Sequence, residues 1–385
     1  MNFGLVVIFW DPVSLDGNGE LVSVASFVRV LEEIRRLTPV LLFCGGNGEI
    51  CSGHNIRIVP VGIHPAFATF VRRPSKFVGK IQRAIRSEMA ALPLDTPVLL
   101  VDAILASRAA MPALKNRRVF LYVRGDDVRE ARVRHRGYKW LAGVAHALVL
   151  MSVRRSLLAQ LPVIGAGKRP LPGRSLDGKD VWPFYPSTIV GTIPAPADTH
   201  PTMEATPRIV WVGRMTPIKR VDRLIGAASR FASHFERTVQ LDLYGDGPLR
   251  GELERQANTA DGRLKTVFHG QTPNTEIIGA LRGALCMALT SEWEGFPKVV
   301  PEAMSAGLPV VTFDVGSVSA LIKDAGAGLV VSDETKMAEA FEAFSGSPER
   351  WRECSANARG AVSRLGLDVQ CRALLRHMGA IHARQ

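Results

Sequence analysis

The 385-residue chain has few cysteines and no apolar run long enough to cross a bilayer. Its five cysteines follow no disulfide or metal-binding spacing, which is typical of a protein kept in a reducing cytosol. The longest apolar run, residues 142–151, is about half of the roughly 18 residues that a transmembrane helix needs. The first apolar run stops at Asp11 and follows no basic residue, so we expect a strand there rather than a signal peptide. These features predict a cytoplasmic protein.

Acidic side chains are scarce in the first half of the chain. Residues 1–190 contain 26 Lys and Arg against 14 Asp and Glu, whereas residues 191–385 contain 22 of each. A basic half indicates an anionic partner, which is a nucleic acid, an anionic membrane surface or a small anion. Few aromatic residues lie among the basic ones at 72–86 and 129–139, so we expect no nucleic acid partner. We expect instead a peripheral contact with the inner face of the cytoplasmic membrane, against the alternative of a solvated basic face.

The segment of residues 291–314, SEWEGFPKVVPEAMSAGLPVVTFD, contains two carboxylates, Glu294 and Glu302, with seven residues between them. The apolar runs at 283–289 and 308–313 predict buried parallel strands, and residues 299–305 predict a short helix between them. Both carboxylates would then lie at the carboxyl edge of a parallel sheet, where such sheets bind ligands. The alternative is two surface glutamates that flank an ordinary crossover.

Other strands are predicted along the whole chain, alternating with helices. In the second half, strands at 208–212, 241–244 and 267–271 are each followed by a turn, and a helix follows the first turn at 221–231. The residues at these turns are Gly213, Arg214 and Lys219, then Gly245, and finally His269 and Gly270. In the first half, strands are predicted at 3–10, 40–44, 98–102, 119–123 and 145–152, a helix at 21–37, and a long loop at 162–186.

This pattern predicts an α/β fold with two domains, as the length also suggests. We expect an N-terminal domain at 1–190, a proline-rich linker at 191–207, a C-terminal domain at 208–365 and a C-terminal helix at 366–385.

The segment at 291–314 resembles the signature of retaining GT-B glycosyltransferases of family 4, also called glycosyl transferases group 1. It shares the two glutamates at this spacing, the Gly-Phe-Pro after the first, the Glu-Ala-Met around the second, and the later Gly-x-Pro-Val-Val. The resemblance implies the GT-B fold, in which two Rossmann-like parallel-sheet domains face a central cleft. It also implies that the N-terminal domain at 1–190 binds the acceptor, that the C-terminal domain at 208–365 binds the nucleotide sugar, and that the helix at 366–385 crosses back to the first domain.

The resemblance also implies roles for individual residues of the second half. Glu294 would contact the hydroxyls of the donor sugar and Glu302 the ribose of the nucleotide. Arg214 and Lys219 would grip the donor diphosphate and, with Glu294, act in catalysis; the alternative is that both are solvated turn cations. The backbone at Gly295, Phe296, Pro297 and Lys298 would face the sugar and diphosphate. Gly213, Gly245, His269 and Gly270 complete the expected donor site.

In the first half of the chain the resemblance extends only to the general arrangement of strands, turns and helices, without close matches to the family's motifs. Gly17 and Gly19 form a glycine turn that would line the cleft, against the alternative of a plain tight turn. Arg124 stands where the family often has a histidine, so no catalytic histidine is predicted, and Arg124 and Asp126 are expected to line the acceptor side. Ala320 stands where the family commonly has a glutamate.

The predicted activity is transfer of a hexose from a nucleotide-diphosphate sugar to an acceptor hydroxyl, with retention of configuration. The basic first half suggests a polyprenyl-diphosphate-linked saccharide as acceptor, in cell-surface polysaccharide or glycolipid assembly. No Asp-x-Asp motif is present in the sequence, so we expect neither a metal nor a cofactor. The alternatives are a nucleotide-sugar epimerase or a phosphorylase on the same fold, or a non-catalytic nucleic-acid-binding or scaffold homologue.

Overall fold

The computed structural model describes residues 3–23, 27–46, 48–61, 74–101, 104–124, 140–167, 180–186, 206–236 and 238–381. The chain divides into two compact units. The first unit comprises Met1–Ala166, Pro170–Pro186 and Leu367–Gln385. The second comprises Gly167–Arg169 and Ser187–Gly366.

The first unit is built on a mostly parallel sheet. Its strands are β1 (Leu5–Pro12), β2 (Ser14–Leu15), β3 (Leu21–Val22), β4 (Val40–Gly45), β5 (Cys51–Gly53), β6 (Ile56–Pro60), β7 (Val98–Val101), β8 (Val119–Val123), β9 (Val163–Ala166) and β10 (Val181–Phe184). The order in the sheet is β10-β9-β8-β7-β1-β4-β6-β5, and only β5 pairs antiparallel among these strands. Strands β2 and β3 form a separate antiparallel hairpin. Continuous apolar runs form the central strands because both faces of a parallel sheet are covered.

Helices pack on this sheet through apolar residues at helical spacing. They are α1 (Val28–Leu37), α2 (Pro74–Met89), α3 (Ile104–Ala110), α4 (Trp140–Gln160) and, from the end of the chain, α12 (Leu367–Met378). In α2, Ile81, Ile85 and Met89 are buried in the core of the unit. Helix α12 packs against α1. Within the described part of the chain, no helix has the length and apolar character needed to cross a membrane.

The second unit has a fully parallel sheet with the order β13-β12-β11-β14-β15-β16. The strands are β11 (Arg208–Val212), β12 (Val239–Tyr244), β13 (Leu264–Gly270), β14 (Cys286–Leu289), β15 (Val310–Phe313) and β16 (Gly328–Val331). The helices are α5 (Val221–Phe235), α6 (Arg250–Asn258), α7 (Asn274–Leu281), α8 (Val299–Ser305), α9 (Gly316–Ala325), α10 (Glu334–Gly346) and α11 (Pro348–Val362). Strand, turn and helix alternate throughout, which is the Rossmann-like arrangement that the sequence predicts.

Three local predictions for the first unit are wrong. Residues 145–152 lie inside helix α4 rather than in a strand, because an apolar run of eight residues suits either structure and no Gly or Pro ends the helix before Gln160. The predicted loop at 162–186 contains strands β9 and β10. The helix predicted from residue 21 begins at Val28, and strand β3 precedes it.

Candidate active site

Three neighbouring strands of the second unit, β11, β12 and β13, end in turns that are hydrogen-bonded to one another. The Gly213 N–H donates to the Tyr244 carbonyl at 2.9 Å, and the Gly245 N–H donates to the Gly270 carbonyl at 2.7 Å. Gly245 has a φ of +119°, and a Cβ at this position would lie 1.9 Å from the Gly213 carbonyl oxygen. Only glycine permits this approach, so the sequence-predicted residues Gly213, Gly245 and Gly270 form one continuous backbone surface at the carboxyl edge of the sheet.

Arg214 follows this surface directly, in the turn after β11. Its side chain is exposed, and none of the described residues forms an ion pair with it. The turn itself is fixed, because the Met215 N–H donates to the Asp246 carbonyl at 2.9 Å. The Arg214 guanidinium is therefore a charged group on a fixed backbone, which suits it to bind an anion.

Lys219 and Glu294, which are 75 residues apart in sequence, form a charged hydrogen bond between Lys219 Nζ and Glu294 Oε1. Lys219 ends a 3₁₀ turn (Pro217–Lys219), and Glu294 lies on the loop after β14. Glu294 is only 9% exposed, and the Ser291 hydroxyl also donates to its Oε1 at 2.6 Å. The structure thus brings together two of the three residues for which the resemblance implies catalytic roles.

Backbone contacts join the two loops that carry this ion pair. The Glu292 N–H donates to the Ile218 carbonyl at 2.9 Å. The Thr290 hydroxyl donates to the Lys219 carbonyl at 3.0 Å. The positions of Lys219 and Glu294 therefore depend on each other.

Glu302 lies in α8, all of whose residues are buried, and is itself 5% exposed. The loop before the helix, with Gly295, Phe296, Pro297 and Lys298, is half-buried. Pro301 is accommodated because it lies in the first turn, where its missing N–H has no intrahelical partner. The predicted donor-binding loop and the second carboxylate thus follow β14 directly, as the sequence indicates.

His269 makes contacts that the sequence does not reveal. Its Nε2 lies 2.8 Å from Oδ1 of Asp242, which is 1% exposed and also accepts hydrogen bonds from Arg208 and Gln240. The imidazole stacks on the Tyr244 ring, with the ring centroids 4.1 Å apart. Burial, together with the Asp242 charge, raises the pKa of Tyr244. The sequence signal for these contacts was Asp242, a carboxylate within the largely apolar strand β12, because a buried carboxylate requires partners.

The candidate residues of the first unit lie in two places. Gly17 and Gly19 are in the loop of the β2–β3 hairpin, and Gly19 has a φ of +77°. Arg124 follows β8, and its Nη2 lies 3.8 Å from Oδ2 of Asp11. Asp126 lies outside the described residues. The glycine turn therefore leads into a short strand rather than into a helix.

The family described as Glycosyl transferases group 1 matches residues 198–361. A GDP-mannose-dependent alpha-mannosyltransferase of Mycobacterium tuberculosis is 32% identical over 185 residues, which are 47% of this chain and 45% of that protein. The match therefore spans about half the length of this curated relative.

Two solved structures show the same fold over nearly the full chain. Sucrose-phosphate synthase from Thermosynechococcus elongatus has a TM-score of 0.66 at 17% identity, covering 98% of this chain and 99% of that one. The Anabaena protein HepE, in complex with UDP, has a TM-score of 0.63 at 15% identity, covering 99% of this chain and all (100%) of that one. At these identities the likeness shows the fold alone. Residues 198–361 are thus similar to the glycosyl transferases group 1 family, and the likeness of the two Rossmann-like units to these solved structures confirms the GT-B fold predicted from the sequence.

Proposed function

We propose that this protein is a retaining glycosyltransferase that transfers a hexose from a nucleotide-diphosphate sugar to an acceptor hydroxyl without a metal ion. The observation that carries this proposal is the Lys219–Glu294 ion pair at the carboxyl edge of a parallel sheet, with the exposed Arg214 in the same connection between β11 and α5 as Lys219. Two cations and a carboxylate are the groups that a diphosphate and a sugar require. The related mannosyltransferase takes its sugar from GDP-mannose, and HepE binds UDP, so a nucleotide sugar is the donor class that we assign.

The chemistry of the site follows from where charge develops. The diphosphate gains negative charge as the glycosidic bond breaks, and fixed cations stabilise that charge in the transition state. Arg214 and Lys219 supply these cations, while Glu294 accepts hydrogen bonds from the sugar hydroxyls and orients the anomeric carbon. Glu302, on α8, contacts the ribose of the nucleotide. The acceptor oxygen bonds to the anomeric carbon on the face from which the diphosphate leaves, so the anomeric configuration is retained. The leaving phosphate takes the acceptor proton on that same face.

A thermal-shift screen of UDP-, GDP-, ADP- and TDP-sugars, run both with and without EDTA, tests the donor site. One nucleotide class should raise the melting temperature of the wild type, and Glu302→Gln should abolish that rise. Glu252→Gln, which neutralises an exposed carboxylate in the first turn of α6, is the matched control and should keep the rise. No rise with any nucleotide sugar would favour a non-catalytic scaffold. A rise that EDTA removes would refute metal independence.

Turnover distinguishes a transferase from the other enzymes of this fold. Nucleoside diphosphate should be released from the sugar donor only when an acceptor is present. Release of nucleoside diphosphate when inorganic phosphate replaces the acceptor would indicate a phosphorylase. Isomerisation of the nucleotide sugar without release of nucleoside diphosphate would indicate an epimerase.

We propose a lipid-linked saccharide, such as one on polyprenyl diphosphate, as the acceptor, with the protein peripheral on the inner face of the cytoplasmic membrane. The support comes from helix α2, where Ile81 and Ile85 are buried while Lys80, Arg83 and Arg86 are exposed. Among the described residues, no acidic side chain pairs with these three cations. Each cation near an anionic lipid surface contributes about 1 kcal/mol. The second predicted basic segment, residues 129–139, lies outside the described residues.

Sedimentation with vesicles that contain anionic lipid tests this contact. The double variant Arg83→Glu/Arg86→Glu should lose most of its sedimentation, and the loss should resemble that of the wild type at high salt. The control Lys265→Glu/Arg352→Glu makes the same charge change at exposed positions of the second unit and should sediment normally. Equal behaviour of the two double variants would contradict the proposal.

A further inference from the structure

Arg220 has a backbone conformation that is unusual for its residue type. It follows the 3₁₀ turn that ends in Lys219 and precedes helix α5, with φ of 46° and ψ of 45°. This left-handed region is unfavourable for any residue with a Cβ, and residues held there tend to occur at functional sites. The conformation allows the turn to end and α5 to begin within a single residue.

The Arg220 side chain bridges two segments. Its Nε and Nη2 donate to Asp222, at 3.1 and 3.0 Å, within the first turn of α5. Its Nη1 donates to Glu292 Oε1 at 3.0 Å, across to the loop after β14. These two carboxylates raise the pKa of Arg220. The guanidinium therefore holds the α5 side and the Glu292 loop together with three of its donor atoms.

This bridge connects the same two loops as the Lys219–Glu294 ion pair. Lys219 is the neighbour of Arg220, and Glu294 lies two residues after Glu292. In the proposed function, however, the diphosphate takes the Lys219 ammonium and the sugar hydroxyls take the Glu294 carboxylate. The Lys219–Glu294 bond must then weaken when the donor binds. The Arg220–Glu292 bond involves neither the Lys219 ammonium nor the Glu294 carboxylate, so it can remain intact.

We propose that Arg220 is a positioning residue that keeps Lys219 and Glu294 at their working separation while the donor occupies them. This inference rests on the proposed function. An error of about 1 Å in such positions can cost about a hundredfold in rate, so the bridge is expected to affect binding and turnover although it contacts no substrate.

The test compares two glycine substitutions on the same helix. Arg220→Gly removes the guanidinium and also relieves the left-handed backbone. Glu236→Gly is the matched control, because Glu236 ends α5 with a φ of 53°. This substitution relieves the same kind of left-handed backbone at the other end of the helix. Arg220→Lys keeps a cation but not the forked geometry. Isothermal titration measures the affinity of each variant for the nucleotide sugar that stabilises the wild type and for the matching nucleoside monophosphate.

Arg220→Gly should bind the nucleotide sugar about tenfold more weakly and the monophosphate within about twofold of the wild type, since only the former uses Lys219 and Glu294 together. Its melting temperature should not fall below that of the wild type by more than a degree or two, because glycine suits the backbone. Arg220→Lys should be intermediate, and Glu236→Gly should bind both ligands as the wild type does.

Wild-type affinity in Arg220→Gly would overturn the inference, and so would an equal loss for both ligands, which would indicate a general loosening of the unit. A similar loss in Glu236→Gly would assign the effect to helix α5 rather than to Arg220. Failure of the wild type to bind any nucleotide sugar would overturn the proposed function itself, and this inference with it. If the wild type binds a nucleotide sugar and Arg220→Gly binds it with the same affinity, only the positioning role of Arg220 is refuted.

Discussion

Replacing Lys219 should destabilise the second unit more than replacing Glu294, although both changes break the same ion pair. In Lys219→Met, the Glu294 carboxylate stays 9% exposed and keeps only the Ser291 hydroxyl of its two observed partners. Breaking a buried pair this way costs about 3–5 kcal/mol. Water can reach the site because the Lys219 side chain is 22% exposed, so we expect about 2–3 kcal/mol here.

Glu294→Gln should cost less. The new amide still accepts the hydrogen bond from the Ser291 hydroxyl, and the ammonium left behind can turn to solvent. We expect about 1 kcal/mol, the typical cost of losing one partly exposed charged hydrogen bond. The double variant Lys219→Met/Glu294→Gln holds no uncompensated charge, so it should be more stable than Lys219→Met alone. The coupling between the two sites should be about 1–2 kcal/mol.

Thermal unfolding and ligand binding together test this reasoning. About 1 kcal/mol corresponds to about 2–4 °C in a unit of this size, so a loss of about 2–3 kcal/mol should make Lys219→Met melt about 4–12 °C below the wild type. The double variant should recover part of that loss, yet all three variants should lose the nucleotide-sugar-dependent rise in melting temperature. Strictly additive stabilities, or equal losses in the two single variants, would refute the assignment of a buried carboxylate that depends on Lys219.

Three further changes have defined outcomes. Gly245→Ala brings a Cβ to 1.9 Å from the Gly213 carbonyl oxygen, so we expect the free energy of unfolding in urea to fall by about 3 kcal/mol and the nucleotide-dependent thermal shift to weaken. Normal nucleotide binding would contradict the role of the close turns. Ser347→Ala removes the N-cap of α11 and should cost about 1 kcal/mol in the same assay without changing ligand binding. Partial burial lowers the pKa of His377, whose ring is exposed but stacks on Trp182 with the ring centroids 4.8 Å apart. The unfolded chain therefore binds more protons below about pH 6.5, and stability falls as the pH drops through that value. His377→Phe should narrow the difference in melting temperature between about pH 7.5 and pH 5.5, and an unchanged difference would show that another group is responsible.

Buried parallel strands were the most predictable part of the fold. The predicted bounds 119–123 and 208–212 match β8 and β11, because each is a short, largely apolar run with turn residues or charges at its ends. Helix α8 was predicted with the same bounds, since Gly295, Pro297 and Pro301 restrict where it can begin. Local chemistry therefore determines these elements without reference to the rest of the chain.

The failures occur where local chemistry is ambiguous. Residues 145–152 are apolar enough for a strand, and only the continuation of α4 to Gln160 identifies a helix. Strand β10 contains Pro183, which lowers any strand prediction, but β10 lies at the edge of its sheet, where the missing N–H is tolerated. The two-residue strands of the β2–β3 hairpin are too short to show a period.

The candidate site shows the same division between local and tertiary information. Resemblance located Arg214, Lys219 and Glu294 one by one, and the sequence presents the two cations as equivalent members of one turn. The structure makes them unequal: Lys219 is bonded to Glu294, whereas Arg214 is exposed with no ion-pair partner among the described residues. If the donor diphosphate binds here, Arg214 can receive it at once, and Lys219 becomes available only when sugar hydroxyls replace it at Glu294. The pairing would then couple binding of the phosphate to correct binding of the sugar. It depends on a contact across 75 residues that no local pattern encodes.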